Sequence, residues 1–316
     1  MAITQRFGDA ETIQSTGAFL QGELERLDPV LKEPITDFTW SRDVPVRMDA
    51  TIADEVTSFI TATYAGGFGG TGNGEKNWIT GKDTVPARVT VGATKKITPL
   101  TPWGAEVSYS IFDLQKAQQV GRPIDRQQVD ALHIKWQLDC DRQAYLGDEE
   151  VGIKGLLNSA EPTRANVGTL SATPTVSEVT GMVDAILNTA WENTQYTRIP
   201  NVLLIAPALF AKLASTQLTN TPMNLLNYVK ANNLSVANGG SLDIRPVKYL
   251  GDSKLFSTPR VVAYTQDRDV VRFPLVNLQS LPIQYRDFSQ SVPYYGALGG
   301  IEFVRPEMVF YGDLAA

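Results

Sequence analysis

The feature that most limits how this chain can fold is one long predicted helix between two glycine-containing turns. The helix begins after Pro123, with Asp125 as its expected N-cap, and continues to about Tyr145, just before Gly147. A proline ahead of the start and a glycine after the end are the signals that favour these boundaries. We therefore predict a helix over about residues 124–146.

Two apolar stripes run along this helix and make it apolar over a wide arc. We therefore expect other elements to cover it on two sides, with Leu132, Trp136 and Cys140 in the core. The stripes are Val129, Leu132, Trp136 and Cys140 on one side and Ala131, Ile134 and Leu138 on the other.

The segments on either side of the helix have a distinctive order. Residues 109–114 read YSIFDL and residues 121–123 read GRP, whereas residues 152–158, after the helix, read GIKGLLN. This order resembles the core of the major capsid proteins of tailed bacteriophages that have the Hong Kong ninety-seven fold. Family-typical patterns extend the resemblance over most of the chain, from Trp40 to Leu314.

The resemblance implies an α+β fold and a structural protein without enzymatic activity. The implied parts are an N-terminal arm, an extension loop that reaches over the adjacent subunit, an α/β axial domain, and a peripheral domain that contains the spine helix. Their expected boundaries are 1–50 for the arm, 66–98 for the extension loop, 173–264 for the axial domain, and 51–65, 99–172 and 265–316 for the peripheral domain.

Residues 52–78 combine a predicted helix with a glycine-rich stretch. Ile52, Val56, Phe59 and Ile60 lie on one face if residues 52–64 are helical. Residues 65–74 then contain six glycines, which break any regular element.

Residues 78–107 alternate apolar and polar side chains and predict a long two-stranded excursion. Gly81 and Gly92 are the expected turn points. Because an isolated hairpin is only marginally stable in water, we expect this one to lie against a partner.

The first 50 residues contain one amphipathic helix candidate, formed by Phe19, Leu20, Leu24, Leu27 and Leu31 before Pro34. A segment with so little apolar surface is expected to lie on its own domain or on a neighbouring subunit. No cleaved N-terminal scaffolding domain is expected. The residues predicted to contact other subunits are Phe19 and Leu24 in the arm, and Phe68, Trp78, Lys82 and Arg88 in the extension loop.

The second half of the chain alternates predicted helices and strands, which favours a separate α/β subdomain followed by strands that return to the first domain. The predicted helices are 176–191, 208–214 and 223–232; the predicted strands are 201–206, 242–249, 260–264, 270–276, 283–288 and 300–310.

Composition excludes several classes of protein. With 28 basic and 34 acidic residues the net charge is −6, so bulk electrostatics does not draw the chain to phosphate, although a container for DNA is permitted. The single cysteine, Cys140, excludes an intrachain disulfide. There is neither a signal-peptide pattern nor an apolar run of the ~20 residues that span a membrane, so a soluble, unsecreted protein is expected.

Several motifs imitate catalytic or binding sites. Gly67, Gly69 and Gly72 match a dinucleotide fingerprint in spacing, but no helix start follows them, and Glu75 stands where a phosphate-binding loop needs lysine. His133, the only histidine, is expected on the helix surface. We expect no catalytic residue, cofactor or metal site; a nucleotide-dependent enzyme that uses the glycine loop is the alternative from another class.

The resemblance implies that the main partner is the chain itself, in hexamers and pentamers of an icosahedral head around double-stranded DNA. A portal and a separate scaffolding protein are expected, a decoration or cement protein is a further candidate, and no membrane is involved. Covalent crosslinking through Lys76, Lys82, Lys95 or Lys96 is not expected. The expected location is the virion capsid, after assembly in the host cytoplasm. The nearest alternative is an encapsulin-type nanocompartment of the same fold.

Overall fold

The computed structural model describes residues 36–66, 89–112, 115, 124–169, 175–218, 223–252, 254–256 and 258–315. The chain divides after Asp37, and all the elements below belong to the unit Phe38–Ala316. In chain order they are α1 (Trp40–Asp43), β1 (Val46–Arg47), β2 (Val56–Gly66), β3 (Val89–Ser110), α2 (Ile124–Tyr145), β4 (Gly147–Asp148), β5 (Ile153–Lys154), β6 (Thr163–Thr169), α3 (Val176–Asn193), β7 (Val202–Ile205), α4 (Pro207–Ser215), α5 (Leu225–Ala231), α6 (Leu234–Ala237), β8 (Asp243–Pro246), a 3-10 turn (Lys248–Gly251), β9 (Arg260–Tyr264), β10 (Val271–Ser280), β11 (Gln284–Arg286), β12 (Ser289–Gly299), β13 (Glu302–Phe303), a second 3-10 turn (Pro306–Met308) and β14 (Val309–Ala315).

One sheet has seven strands and carries the long helix. Its main order is β1-β10-β12-β3-β2, with β11 beside β12 and β13 beside β10. β3 has two successive partners: β12 pairs with its second half, from Leu100 to Ser110, and β2 pairs with its first half, from Val89 to Pro99. The helix α2 confirms the predicted spine helix, although it begins at Ile124, one residue before the predicted cap Asp125.

The other large sheet has five strands in the order β6-β14-β9-β7-β8. The strand β7 is apolar and fully buried, and β9 is also buried throughout, so helices have to cover the sheet. The helix α3 begins with a capping box in which Thr175 and Glu178 bind each other's backbone N–H groups. Its buried side, including Ile186 and Leu187, packs on this sheet, and α4 and α5 add Leu213, Leu225 and Val229.

The structure confirms most of the predicted elements of the second half, with shifted ends. The helices α3, α4 and α5 and the strands β7 and β9 lie where they were predicted. The predicted strand 242–249 is shorter, because Lys248–Gly251 form a 3-10 turn, and the predicted strand 300–310 is interrupted by the turn Pro306–Met308.

The sheet assignments cut across the expected domain boundaries, which stay a prediction. The strands β6 and β14 belong to the five-stranded sheet, whereas the sequence places residues 163–169 and 309–315 in the peripheral domain. Residues 38–50 fall within the expected arm, yet Trp40 and Val44 are part of the main core.

The predicted helix over residues 52–64 is wrong. Val56–Gly66 form the strand β2, which pairs along its whole length with Val89–Pro99 of β3. Gly92 lies inside this ladder opposite Thr63, so it is not a turn point. The spacing of Val56, Phe59 and Ile60 suits a helix, but β-branched residues crowd the segment and favour a strand once a partner strand is present.

Within the described part of the chain, no helix is both long enough and apolar enough to cross a membrane.

Candidate assembly surfaces

The hairpin of β2 and the first half of β3 has one apolar, exposed face. Directly paired residues lie on the same side of a ladder, so the pairs Val56–Pro99, Ser58–Ile97 and Ile60–Lys95 share this face. We call it the outer face and define it by its four large apolar side chains. Their exposed fractions are 51% for Val56, 69% for Ile60, 62% for Val91 and 60% for Ile97.

The opposite face of the hairpin is held to the body mainly by polar and charged contacts. Phe59 lies between two cations: the guanidinium carbon of Arg272 is 5.4 Å from its ring centroid and the ammonium of Lys96 is 6.0 Å away. Lys96 also forms an ion pair of 2.7 Å with Glu161. This inner face is therefore held by electrostatic contacts and not by an apolar core.

A buried carboxylate is the centre of these contacts. Glu302, on β13, has a fully buried side chain and accepts hydrogen bonds from Arg47 Nη1 at 3.0 and 3.1 Å, from Arg272 Nε at 2.6 Å and from the Thr57 hydroxyl at 2.8 Å. We call Glu302, Arg47, Arg272 and Thr57 the Glu302 cluster. Since two guanidinium groups and a hydroxyl satisfy this carboxylate, its burial is compensated.

Arg47 extends the Glu302 cluster to a second carboxylate and to the hairpin backbone. It binds Asp49 through Nε and Nη2 at 2.6 and 2.9 Å, and its Nη1 also donates to the carbonyl of Ser58 at 3.3 Å. The hydrogen bond to Asp49 is the largest cause that raises the pKa of Arg47, and the same bond lowers the pKa of Asp49. Arg47 is therefore charged at any physiological pH.

The long helix α2 packs one of its two stripes into the core. Leu132, Trp136 and Cys140 are buried at 7%, 4% and 0% exposure. Trp136 packs edge-on against Trp103 of β3 with ring centroids 4.9 Å apart. A Cβ at Gly296 would lie 2.7 Å from the Trp136 ring, so this contact depends on a glycine in β12. Burial raises the pKa of the Cys140 thiol, which is therefore unreactive.

The second stripe of α2 is covered less than the sequence predicts. Ala131 is exposed, and Ile134 and Leu138 are only half-buried. The expectation of a helix covered on two sides thus holds for one side within this chain.

Two further buried carboxylates tie the segment before β1 to the rest of the fold. Asp141 of α2 is fully buried, accepts from the backbone N–H groups of Thr39 and Trp40 at 2.8 and 3.1 Å, and pairs with Lys248 at 2.7 Å. The oxygen that pairs with Lys248 also accepts from the Tyr249 hydroxyl at 3.1 Å. This carboxylate therefore joins the spine helix to α1 and to the segment after β8.

Asp43 makes a similar connection from α1 to β8. Its buried carboxylate pairs with Arg42 at 2.7 Å and with Arg245 at 3.1 Å, and it accepts a short hydrogen bond from the Tyr145 hydroxyl. Burial, with Asp43 as the next cause, raises the pKa of Tyr145, so the tyrosine stays a donor.

A second exposed apolar cluster lies where β3 ends beside the turn between β11 and β12. Phe112 and Phe288 are 57% and 70% exposed, and their ring centroids are 5.9 Å apart. The backbone N–H of Ile111 donates to the carbonyl of Phe288 at 3.0 Å, which fixes the two segments side by side. Leu281, Ile283 and Tyr285, which precede or belong to β11, are also exposed.

Within the described part of the chain, the side chains capable of catalysis or metal binding do not converge on one site. His133 is exposed, with its ring 6.3 Å from that of Tyr294, and Asp139 binds Lys135 and the indole of Trp103, away from the partners of Asp141. Among the described residues no group of histidine, cysteine and acidic side chains has the geometry to hold a metal ion. The contacts of His133 and Asp139 hold elements of the fold together.

All the predicted inter-subunit residues lie outside the described part of the chain: Phe19, Leu24, Phe68, Trp78, Lys82 and Arg88. The glycine-rich stretch from residue 67 onward also lies outside it.

The Glu302 cluster is not predicted by the sequence. Its members come from four segments, and Arg47 and Glu302 are 255 positions apart, so no local spacing reveals them. One signal was available: Glu302 stands between Ile301 and Phe303, and a charge inside an apolar stretch indicates a buried, paired side chain.

Comparisons with known proteins agree with this architecture. Residues 74–314 match the family model described as "Major capsid protein". Among solved structures, the capsid of the Myoviridae phage XM1 is 15% identical with a TM-score of 0.76, covering 93% of this chain and 98% of that chain. A structure from Mycobacterium phage Bobi is 8% identical with a TM-score of 0.60, covering 94% of this chain and 97% of that one. The capsid of a native GTA particle is 11% identical with a TM-score of 0.60, at coverages of 94% and 99%. No curated protein matches the sequence.

Proposed function

This chain belongs to the major capsid protein family, and we propose that it forms the hexameric and pentameric capsomers of the icosahedral head of a tailed double-stranded DNA phage. The protein is thus structural, and its place is the capsid of the virion. Self-assembly follows from the family.

One observation supports assembly through the hairpin more than any other. Val56, Ile60, Val91 and Ile97 are each more than half exposed on one face of a two-stranded ladder. Such a face exposes apolar area at a cost of roughly 25 cal/mol per Å², which the contacts within one subunit do not recover. Contiguous exposed apolar surface of this kind marks protein–protein contacts.

The inner face explains how the hairpin stays folded before assembly. Its polar contacts to Glu302, Arg272 and Glu161 hold it to the body without covering the outer face. The hairpin is thereby presented to a second copy of the chain. Obligate interfaces commonly bury about 2,000 Å² or more, so we infer that the hairpin acts together with other surfaces, among them the cluster around Phe112 and Phe288.

The remaining partners belong to the same proposal. A portal and a separate scaffolding protein would act during assembly in the host cytoplasm, and a decoration or cement protein would bind the finished shell. The net charge of −6 suits a wall that encloses DNA without sequence-specific binding. The family match supports this function more than an encapsulin-type compartment or a nucleotide-dependent enzyme.

Assembly of the purified protein tests the proposal. We expect light scattering and sedimentation to show rings or closed shells for the wild type. The double variant Ile60→Ser with Ile97→Ser should remain a folded, cooperatively melting subunit that no longer assembles, because only the outer face has changed.

A matched control carries two serines on the exposed side of α3, Asp184→Ser with Asn188→Ser, and should assemble normally. Normal shells from the outer-face variant would show that the outer face of the hairpin is not part of the interface. A wild type that stays monomeric at every concentration and salt, also when coexpressed with a scaffolding protein, would contradict the proposed function itself.

A further inference from the structure

The orientation of the hairpin depends on few connections. β3 is the strand that continues from the body into the hairpin, and its ladder partner changes from β12 to β2 between Leu100 and Pro99. Pro99 and Pro102 carry no N–H group, so neither donates to a ladder at this junction. One backbone hydrogen bond lies at the junction, from the N–H of Leu100 to the carbonyl of Glu55 at 2.9 Å, and an extended strand held by so few bonds bends easily where its pairing changes. Contacts beside the strand must therefore set the angle.

The Glu302 cluster supplies these lateral contacts from three directions. Arg47 comes from β1, Arg272 comes from β10, and Thr57 is the second residue of β2 in the hairpin. Thr57 is 5% exposed and its hydroxyl donates to Glu302 at 2.8 Å, so the root of the hairpin is joined directly to a carboxylate of the body. Arg272 binds that carboxylate and also lies over the Phe59 ring, two residues further along β2.

Another lateral contact is of a weaker kind. The ammonium of Lys96 and the carboxylate of Glu161 are 2.7 Å apart, but their side chains are 37% and 43% exposed. Water competes for such a pair, and its long side chains follow a moving strand. The side chain of Glu302 is fully buried, and its partners hold it on several sides. It therefore fixes the direction of the hairpin as well as the distance of the hairpin from the body.

We propose that Glu302 is the positioning residue that sets the angle at which the hairpin leaves the body. This angle determines where the outer face meets a second copy, so the inference rests on the proposed assembly function and deepens it. Loss of the carboxylate should leave the hairpin paired but free to bend at Leu100.

A distance within β3 measures this bend. Val91 and Glu106 are both exposed and lie on the hairpin half and the body half of the strand; fully extended, they are about 50 Å apart at about 3.3 Å per residue. Cysteines at these two positions accept spin labels selectively, because the natural Cys140 is fully buried. The measurement is made in the Ile60→Ser, Ile97→Ser background, which should not assemble. The distances then come from separate subunits.

We expect a narrow distance distribution with Glu302 intact. Glu302→Ala and the isosteric Glu302→Gln should broaden it and shift its mean, because the strand is then free to take other angles. Thr57→Val, which removes one hydrogen bond and keeps the shape, should produce a smaller shift in the same direction.

Asp313→Asn is the matched control. It weakens another arginine–carboxylate pair, with Arg260 at 2.6 and 3.0 Å in the five-stranded sheet, and should leave the distribution unchanged. Equal shifts in Asp313→Asn and Glu302→Gln would show general loosening and overturn the inference, as would an unchanged distribution in both Glu302 variants.

The consequence for assembly is tested separately, with the natural outer face. Glu302→Gln should give fewer closed shells, or shells of irregular size, at a concentration where the wild type assembles. Normal shells from a variant whose hairpin angle has shifted would disprove the link between angle and assembly. A failure of the wild type to assemble contradicts the proposed function and leaves the distance result to decide on Glu302.

Discussion

The five-stranded sheet with its helices and the hairpin of β2 and β3 use apolar residues in opposite ways. In the sheet, β7 and β9 are buried throughout and α3 covers them with Ile186 and Leu187. In the hairpin, Ile60 and Ile97 point away from the body and the contacts to the body are ionic or polar. The sheet is stabilised within one subunit, whereas the hairpin leaves its apolar surface exposed, as the proposed contact with a second subunit requires.

This difference explains how a subunit can fold before it assembles. A buried apolar core contributes stability independently of concentration, while an exposed apolar face contributes only after a partner has covered it. The ionic attachment of the hairpin allows the exposed face to exist on a folded subunit.

The largest expected effect comes from the same substitution made at two sites, one in the sheet region and one in the hairpin. If the two effects do not differ, the comparison is wrong. Ile186→Ala, at a fully buried site in α3, should lower the free energy of unfolding by about 2 to 5 kcal/mol because it leaves a cavity. Ile60→Ala, at a site that is 69% exposed, should change it by no more than about 0.5 kcal/mol. Denaturant melts of unassembled subunits measure both values. Similar losses at the two sites would mean that the outer face is covered within the subunit.

A smaller effect is expected from the capping box of α3. Thr175→Ala removes the side-chain acceptor of the Glu178 N–H and should cost about 1 kcal/mol. Ser177→Ala, exposed on the first turn of the same helix, is the control and should be nearly neutral. If Thr175→Ala leaves the melts of unassembled subunits unchanged but prevents assembly, α3 contributes to contacts between copies. The comparison would then need revision.

The smallest expected effect is a change in how stability depends on pH at acid pH. It tests whether an ionic contact also stabilises the five-stranded sheet. Burial raises the pKa of Asp243, but hydrogen bonds from Arg245 and Lys230 outweigh it, so the folded pKa is lowered. A lowered folded pKa gives stability that is present above the unfolded value of about 3.9 and is lost as the pH falls through the folded value. Asp243→Asn should therefore flatten the fall of stability below about pH 4, as followed by circular dichroism. An unchanged pH profile would show that this carboxylate does not stabilise the sheet.

How far the sequence predicts this molecule depends on the range of the interactions. The helix α2 and the elements α3, β7 and β9 follow from local periodicity, because one buried side repeats at helical or strand spacing. The strand β2 was predicted as a helix, since the apolar spacing of Val56, Phe59 and Ile60 is ambiguous until the ladder with β3 decides it.

The candidate surfaces were predicted only in part, for a related reason. The resemblance indicates an extension loop, but the outer face is defined by the register of Ile60 with Lys95 and of Ser58 with Ile97, which tertiary pairing sets. The Glu302 cluster depends on contacts between distant segments, and a single sequence does not show which arginine reaches which carboxylate.

The order of strands in the five-stranded sheet has a consequence for synthesis of the chain. β14 lies between β6 and β9 and pairs with both, yet the ribosome makes it after β12 and β13. At ~5–20 residues per second, seconds pass between the synthesis of β9 and that of β14, and during this time β6 and β9 lack the strand that lies between them. A chain whose synthesis stops before β14 therefore leaves β6 without the partner that joins it to the other three strands of the sheet.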